Sequence, residues 1–455
     1  MNALELRAAL TLALVYVLRM MGLFMVMPVL AVAAMEYPDY SPLLVGLAVG
    51  GYGLTQAALQ IPMGMLSDRW GRKPVILLGL TVFALGSFVA ASADTMVWML
   101  IGRVLQGAGA IAGAIMALAT DISRESQRAK VMAIIGIAIG FSFYLAVLMG
   151  PLIAQQWGMA GIFGITGTLA VCCMPLVKWV VPDVTTTASG DTLPKLSQVA
   201  SLFSSPQLWR LNVSVMVLHM LITLLFVQLP VTLTQFNMTL ESHWTIYLPV
   251  LAISIVGLVI LMGIGRGRTP KTVVITAAGL MMMAFLMLNM QHHREWVVLC
   301  AVVMFFTGFN YLEASFPALV STIAPAGQKG TAMGLYASFQ FFGAFMGGTL
   351  SGVVTDLWTA KTAYLAGALG AGVWILILFG LKEVNKLKRV VLQAAIDDEK
   401  QSAVKTALHQ LEGVEEVVVS TADNAIYLKV SREFDLAGAQ ALLETYTESP
   451  ASATL

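Results

Sequence analysis

The chain has 455 residues, 58% of them hydrophobic and only 11% charged, with a formal net charge of +1. That much apolar surface exceeds what one soluble core can bury, which excludes an ordinary soluble domain and predicts a polytopic membrane protein. The near-neutral charge predicts no nucleic-acid partner. Cys172, Cys173 and Cys300 lie in apolar stretches without metal-like spacing, so neither a disulfide framework nor a metal site is expected.

A bilayer crossing takes about 20 apolar residues. That length predicts twelve spans, near 8–34, 42–66, 74–93, 96–121, 130–155, 158–181, 208–236, 244–265, 271–290, 296–322, 330–354 and 362–381. The first contains Ala31-Val-Ala33, which imitates a signal-peptidase site, but its apolar stretch is too long for a signal peptide and carries Arg19, so a retained span is expected. After the second span comes Gly64-Met-Leu-Ser-Asp68-Arg69-Trp-Gly71-Arg72-Lys73-Pro74. Gly64, one turn before Asp68, admits a close helix neighbour, Gly71 permits a sharp reversal, and Pro74 suits the first turn of a helix. A basic turn alone would only set topology. Asp68 among the bases calls for a partner, either a guanidinium or a helix N-terminus.

The basic residues choose an orientation. Arg7, the Arg69/Arg72/Lys73 turn, Arg124/Arg128/Lys130, Lys195/Arg210, Arg266/Arg268/Lys271, Lys329 and Lys382/Lys386/Lys388/Arg389 fall on one side, whereas the opposite loops are richer in acids and histidine. By the positive-inside rule both termini are expected in the cytoplasm of a cell inner-membrane protein. The connection 182–207, rich in Thr, Ser and Pro, is read as a cytoplasmic central linker between six-span halves at 1–181 and 208–384. A weak repeat supports the division: Arg128-Ala-Lys-Val-Met132-Ala aligns with Lys329-Gly-Thr-Ala-Met333-Gly, and the same offset places Gly107 on Gly308.

The Gly64 to Lys73 stretch resembles motif A of the major facilitator superfamily, and Arg103-Val-Leu-Gln106-Gly107-Ala-Gly109-Ala110 resembles its fourth-helix motif B. The segment Leu18 to Leu30 and the appended C-terminal region are similar to a subgroup usually classed with proton-coupled drug antiporters. Of the fifth-helix antiporter motif, Gly136, Gly140 and Gly150-Pro151 remain. The resemblance implies an all-α polytopic membrane protein with a twelve-helix major facilitator fold in two six-helix halves. It also implies a non-enzymatic, proton-coupled secondary transporter that exports small molecules by alternating access. Its expected partners are a small-molecule substrate, protons and the lipid bilayer. In this resemblance Gly64, Asp68, Arg69, Gly71, Arg72, Lys73 and Asp121 form a conformational latch, with Arg72 linked to Asp121 and Asp68 meeting the start of the eleventh helix near Gly330 to Met333. No P-loop for ATP and no cofactor motif is present.

Charged residues inside spans are costly and therefore functional candidates. Glu313 and His219 are expected to couple protons, because Glu313 is the only carboxylate deep in the second half. Arg19, Arg103, Gln56, Gln60, Asn212, Gln228 and Asn310 are the substrate-cavity candidates. Each has a packing alternative: Arg103 as a staple onto backbone carbonyls, His219 as a neutral packing residue, and the 27 methionines as gap fillers. Two arginines leave open a symporter or facilitator for an anionic metabolite, and the appended domain leaves open a transporter-like sensor.

Residues 388–448 change character. A strand from Leu387, a helix from Asp398 to Leu411, strands Val414–Ser420 and Ala425–Val430 joined by an Asp423-Asn424 turn, and a helix from Leu436 to Tyr446 are expected. This β-α-β-β-α order resembles a small α+β ferredoxin-like domain of the heavy-metal-associated type, without its Cys-x-x-Cys. A regulatory module with a ligand or protein partner, or a passive stabilising tail, is the expected use.

Overall fold

A computed structural model describes residues 1–123, 125–182, 199, 202–266, 268–290, 294–325, 329–382, 388–394, 396, 400–420, 425–431, 434–446 and 452–454. Most of the central linker, His292, His293, Arg124 and the Asp423-Asn424 turn lie outside the described residues. The chain divides into a helical unit, Met1–Lys382, and a small unit, Glu383–Leu455.

The helical unit runs α1 (Ala3–Ala33), α2 (Pro42–Trp70), α3 (Arg72–Ala91), α4 (Met96–Ala108), α5 (Ala112–Ile122), α6 (Glu125–Pro175), α7 (Pro206–Thr234), α8 (Trp244–Ile264), α9 (Pro270–Asn289), α10 (Glu295–Ile323), α11 (Lys329–Leu357) and α12 (Ala360–Phe379). Ten segments have the length and hydropathy to cross a bilayer. One of them, Lys130–Val180, covers most of the 51-residue α6, whose backbone breaks at Gly158 (φ 60°), so that it makes two crossings. With glycine-rich α11 the helices form the twelve-span bundle.

The sequence sets the ends of these helices. Asn2 and Glu5 form a reciprocal capping box, and the Ser41, Thr95, Thr269 and Thr359 side chains each accept a backbone N–H at the start of their helix. Ser41-Pro42 and Thr269-Pro270 add proline where its missing N–H leaves nothing unsatisfied. Gly71 (φ 92°) ends α2 and starts α3, a reversal that a side chain would strain.

The expected fourth span at 96–121 is present as Met96–Ile122, with a helix break between α4 and α5 at Gly109-Ala110-Ile111. A Cβ on Gly109 would lie 2.4 Å from the Gly79 carbonyl oxygen, so close packing demands a glycine there. The Gly109 carbonyl, partly released from the helix, accepts from Arg19 at 3.1 Å.

Large apolar side chains such as Ile137, Val259, Leu369 and Leu376 stay exposed on the outside of the bundle, as lipid contact requires. Near the end formed by Pro42 and Leu357, α2 and α11 meet backbone to backbone. A Cβ on Gly46 would lie 2.2 Å from the Gly348 oxygen, and one on Gly53 would lie 2.5 Å from the Phe341 oxygen. Gly343 and Gly347 make equally close approaches from α11 to α7 at Met216 and Met220.

The small unit holds β1 (Lys388–Gln393), α13 (Gln401–His409), β2 (Val414–Ser420), β3 (Ala425–Val430), α14 (Leu436–Glu444) and β4 (Ser452–Thr454). Its antiparallel sheet has the order β2-β3-β1-β4, and Val390, Leu392, Val404, Leu408, Ile426, Leu428 and Leu443 fill its core. It is the α+β arrangement expected, with one correction. The chain continues past 448 into β4, whose three residues pair with Val391 to Gln393 and are too short to read as a strand from sequence.

Two expectations follow. Gly348→Leu forces side-chain volume into the α2–α11 seam and costs about 1–3 kcal/mol of stability, the usual penalty of overpacking, read as a lower unfolding temperature in detergent. Asp39 accepts the Met96 and Val97 N–H groups at 2.7 and 3.1 Å, and the Met96 bond is the main reason its carboxyl sits below the usual 3.8. With the folded value depressed, its contribution is full above the usual value and fades as the pH falls through the folded one. Hydrogen exchange at Met96 and Val97 should therefore be faster in Asp39→Ala than in the parent chain at neutral pH, with the difference closing in acid.

Candidate functional site

Three polar clusters interrupt the apolar bundle. The first lies at the end where α2 turns into α3. Gly71 folds Arg72 back over the last turn of α2, so that the guanidinium reaches three groups at once. Its Nε donates to Asp121 Oδ2 on α5 at 2.9 Å, and its Nη1 donates to Ser67 Oγ at 3.0 Å and to Asp68. The Arg72 and Asp121 side chains are 5% and 1% exposed, and that of Asp68 is 34% exposed. Ser67 donates in turn to the buried Gly64 carbonyl. Arg69 is exposed and Lys73 half-buried. The structure brings Arg72 to both acids, Asp68 one turn away on α2 and Asp121 on α5.

The second cluster fills the interior of the first half. Arg19 on α1 donates through Nη2 to Tyr52 Oη, Gln56 Oε1 and the Gly109 carbonyl, and Gln56 donates onward to Gln60 Oε1 at 2.9 Å. Arg103 on α4 donates to the Ala48 and Val49 carbonyls of α2 and to Gln106, while its guanidinium stands over the Tyr52 ring at 5.0 Å. Gln106 donates to Ser87 on α3. Arg19, Arg103, Gln56 and Gln60 are all buried, and no ion pair is formed by either arginine among the described residues. Arg103 thus holds the stapling arrangement onto backbone carbonyls. Arg19 keeps Nε and Nη1 without an acceptor among the described residues.

The third cluster lies in the second half. His219 on α7 has its Nδ1 3.2 Å from the Val215 carbonyl and its Nε2 2.7 Å from Gln340 Nε2 on α11. Gln340 Nε2 also donates to Glu313 Oε1 on α10 at 3.3 Å, and Glu313 Oε2 stands 3.6 Å from His219 Nε2. The Glu313 side chain is 38% exposed, whereas His219 is 15% exposed, so the acid is the more open of the pair. Asn310, one turn from Glu313, donates to Tyr144 on α6 at 2.8 Å and to Ser254 on α8 at 3.3 Å. Gln228 lies elsewhere, donating to Ser351 and Thr355 on α11, and Asn212 is buried with its Oδ1 lacking a partner among the described residues.

The candidate cavity residues therefore fall into separate networks. Gln340, Tyr52, Gln106 and Tyr144 were not among the sequence candidates. Gln340 was legible in principle, as a lone amide among Ser338-Phe-Gln340-Phe-Phe in a span, but it carries no charge to draw the eye. Among the described residues no group of three His, Cys, Asp or Glu side chains is placed to hold a metal.

Comparison with known proteins agrees with this architecture. The family model described as the Major Facilitator Superfamily matches residues 12–348. The chain is 38% identical to the inner membrane transport protein YajR of Escherichia coli K12 over 433 residues, 94% of each chain. It is 30% identical to multidrug resistance protein D of the same organism over 150 residues, covering 30% of this chain and 38% of the other. Among solved structures, the D-xylose-proton symporter superposes with a TM-score of 0.68 at 13% identity over 83% of this chain and 98% of its own. A bacterial homologue of the human lysosomal transporter Spinster, inward-facing and occupied, gives 0.66 at 15% identity over 83% and 97%. At such identities these structures speak for the fold. The extent of the family match and the identity to YajR settle the assignment: this multi-pass membrane protein belongs to the Major Facilitator Superfamily.

Proposed function

We propose that the chain is a proton-coupled secondary transporter of the cell inner membrane, with both termini in the cytoplasm, that exports small molecules by alternating access. The observation that carries the reading is Glu313. It is a carboxylate inside α10 facing His219, in a half-bundle whose helices carry lysine or arginine only within their first two turns. An ionisable side chain within a span is costly to place and marks a proton or ion path by default. The names of YajR, an inner membrane transport protein, and of multidrug resistance protein D support transport and efflux respectively.

In this reading Arg72, Asp68 and Asp121, with Gly64, Arg69, Gly71 and Lys73 around them, form the latch of the cycle, and Asp68 engages the start of α11 only when the halves close at that end. The contact of α2 with α11 at the other end, and the exposed position of Asp68, fit a molecule in which the latch to α11 is released. A second reading has one observation in its favour. Arg19 and Arg103 bring two buried cations into the first half with no ion-paired carboxylate among the described residues, which suits symport or facilitation of an anionic metabolite. The small C-terminal unit is proposed to bind a ligand or protein that regulates the bundle.

Proteoliposomes given an imposed pH gradient test the main reading. Compounds found to stabilise the purified protein at two pH values should be driven against their gradient by inward protons, and Glu313→Gln should reduce that flux to the level of empty vesicles while sparing protein stability. Unchanged proton-driven flux in Glu313→Gln would remove Glu313 from the mechanism, and accumulation of an anion with protons would favour the second reading. For the latch, Arg72→Ala removes the guanidinium from both Asp68 and Asp121 and is expected to lower the unfolding temperature. The exchange Arg72→Asp with Asp121→Arg should recover part of that stability, measured by thermal unfolding.

A further inference from the structure

The three buried arginines of the first half are not equally provided for. Arg72 has two carboxylates, and Arg103 donates to the Ala48 and Val49 carbonyls and to Gln106. Arg19 gathers three acceptors, Tyr52 Oη, Gln56 Oε1 and the Gly109 carbonyl, around Nη2 alone. The hydrogen on its Nε and the two on its Nη1 therefore have no acceptor among the described residues. Tyr52 accepts from Arg19 at 3.0 Å, which leaves its own O–H hydrogen to donate at the same place. Tyr16, one turn before Arg19, is buried and close enough to feel the guanidinium charge.

A guanidinium does not escape the cost of burial by losing its proton, so one without a carboxylate calls for an anion. The chain has none to send. Every Asp and Glu of the first half stands in an end turn of a helix or in a connection, and Glu313 of the second half faces His219. We propose that Arg19 and Tyr52 bind the carboxylate of an organic acid whose aromatic or otherwise apolar body lies against Phe24 and Phe341. This rests on the chain being a transporter of small molecules, and it gives the anionic alternative above a substrate class.

The surroundings choose the body and the charge. Met20, Leu23 and Ile111 are buried in the apolar cluster around this part of α1, and Phe24 and Phe341 are partly buried against it. The Arg19 guanidinium stands 5.7 Å from the Phe83 ring, and the Tyr52 ring is 6.4 Å from that of Phe341 on α11. One carboxylate neutralises the one guanidinium, whereas a dianion such as phosphate leaves a net charge in the same apolar setting. Arg19 is 1% exposed, so the acid enters as a neighbouring segment moves. The break at Gly109-Ala110-Ile111, whose carbonyl Arg19 holds, is the segment beside it without continuous helical bonding.

Calorimetric titration of the full-length protein in detergent with phenylacetate, phenylacetamide, acetate and inorganic phosphate tests the site. Phenylacetate is expected to bind about tenfold more tightly than the amide or acetate, about tenfold more weakly in Tyr52→Phe, and not at all in Arg19→Gln. Tyr52→Phe keeps the ring beneath Arg103, so a lost preference for acid over amide reports the hydroxyl rather than the fold. Arg19→Lys, which keeps the charge with fewer donors and should bind the acid weakly, serves should the glutamine variant misfold. No binding of phenylacetate, equal affinity for acid and amide, tighter binding of phosphate, or binding unchanged in the Arg19 and Tyr52 variants overturns the site. Phenylacetate that binds as expected, but is not accumulated by proteoliposomes above empty vesicles under an imposed pH gradient, keeps the site and overturns the transport reading for such acids.

Discussion

The bundle depends on satisfying polar groups where water is scarce, because a charge or open backbone group in an apolar medium is costly. Helix formation settles the backbone; the side chains require individual solutions. Arg103 is settled by the Ala48 and Val49 carbonyls and the face of Tyr52. Arg72 is settled by two carboxylates and a serine. The first solution joins two helices and the second three, so these polar contacts fix how the helices stand as well as the apolar packing does. Ile76, Phe83, Ile111 and Ile115 then fill the space around them.

The two halves solve the problem differently. In the first, guanidiniums are wrapped by amides, a phenol and carbonyls into a buried chain from Gln60 to Ser87. In the second, the ionisable groups are fewer and more open, with Glu313 and His219 meeting at a glutamine.

Much of this was legible in the sequence, for a physical reason. Span length and basic loops follow from the thickness and sidedness of a bilayer, which act residue by residue, so the helices and the Arg72 turn were predictable. The Arg72–Asp121 pair was reached through the family resemblance, since nothing local relates positions that far apart. What escaped depends on three-dimensional neighbours. The break at Gly109 comes from its approach to Gly79 and from Arg19 taking its carbonyl, neither of which leaves a local pattern. Gln340 gains its meaning only from side chains on α7 and α10. β4 is three residues long and exists because β1 offers it an open edge.

The seam between α2 and α11 has a kinetic consequence. From Gly46 to Gly53 and from Phe341 to Gly352 the surfaces in contact are largely main chain, which has no rotamers to unlock. Interlocked side chains would have to disengage one by one before the helices separated, whereas these smooth faces can part and rejoin with little internal friction. Such a seam offers few side-chain interlocks to any separation of α2 from α11.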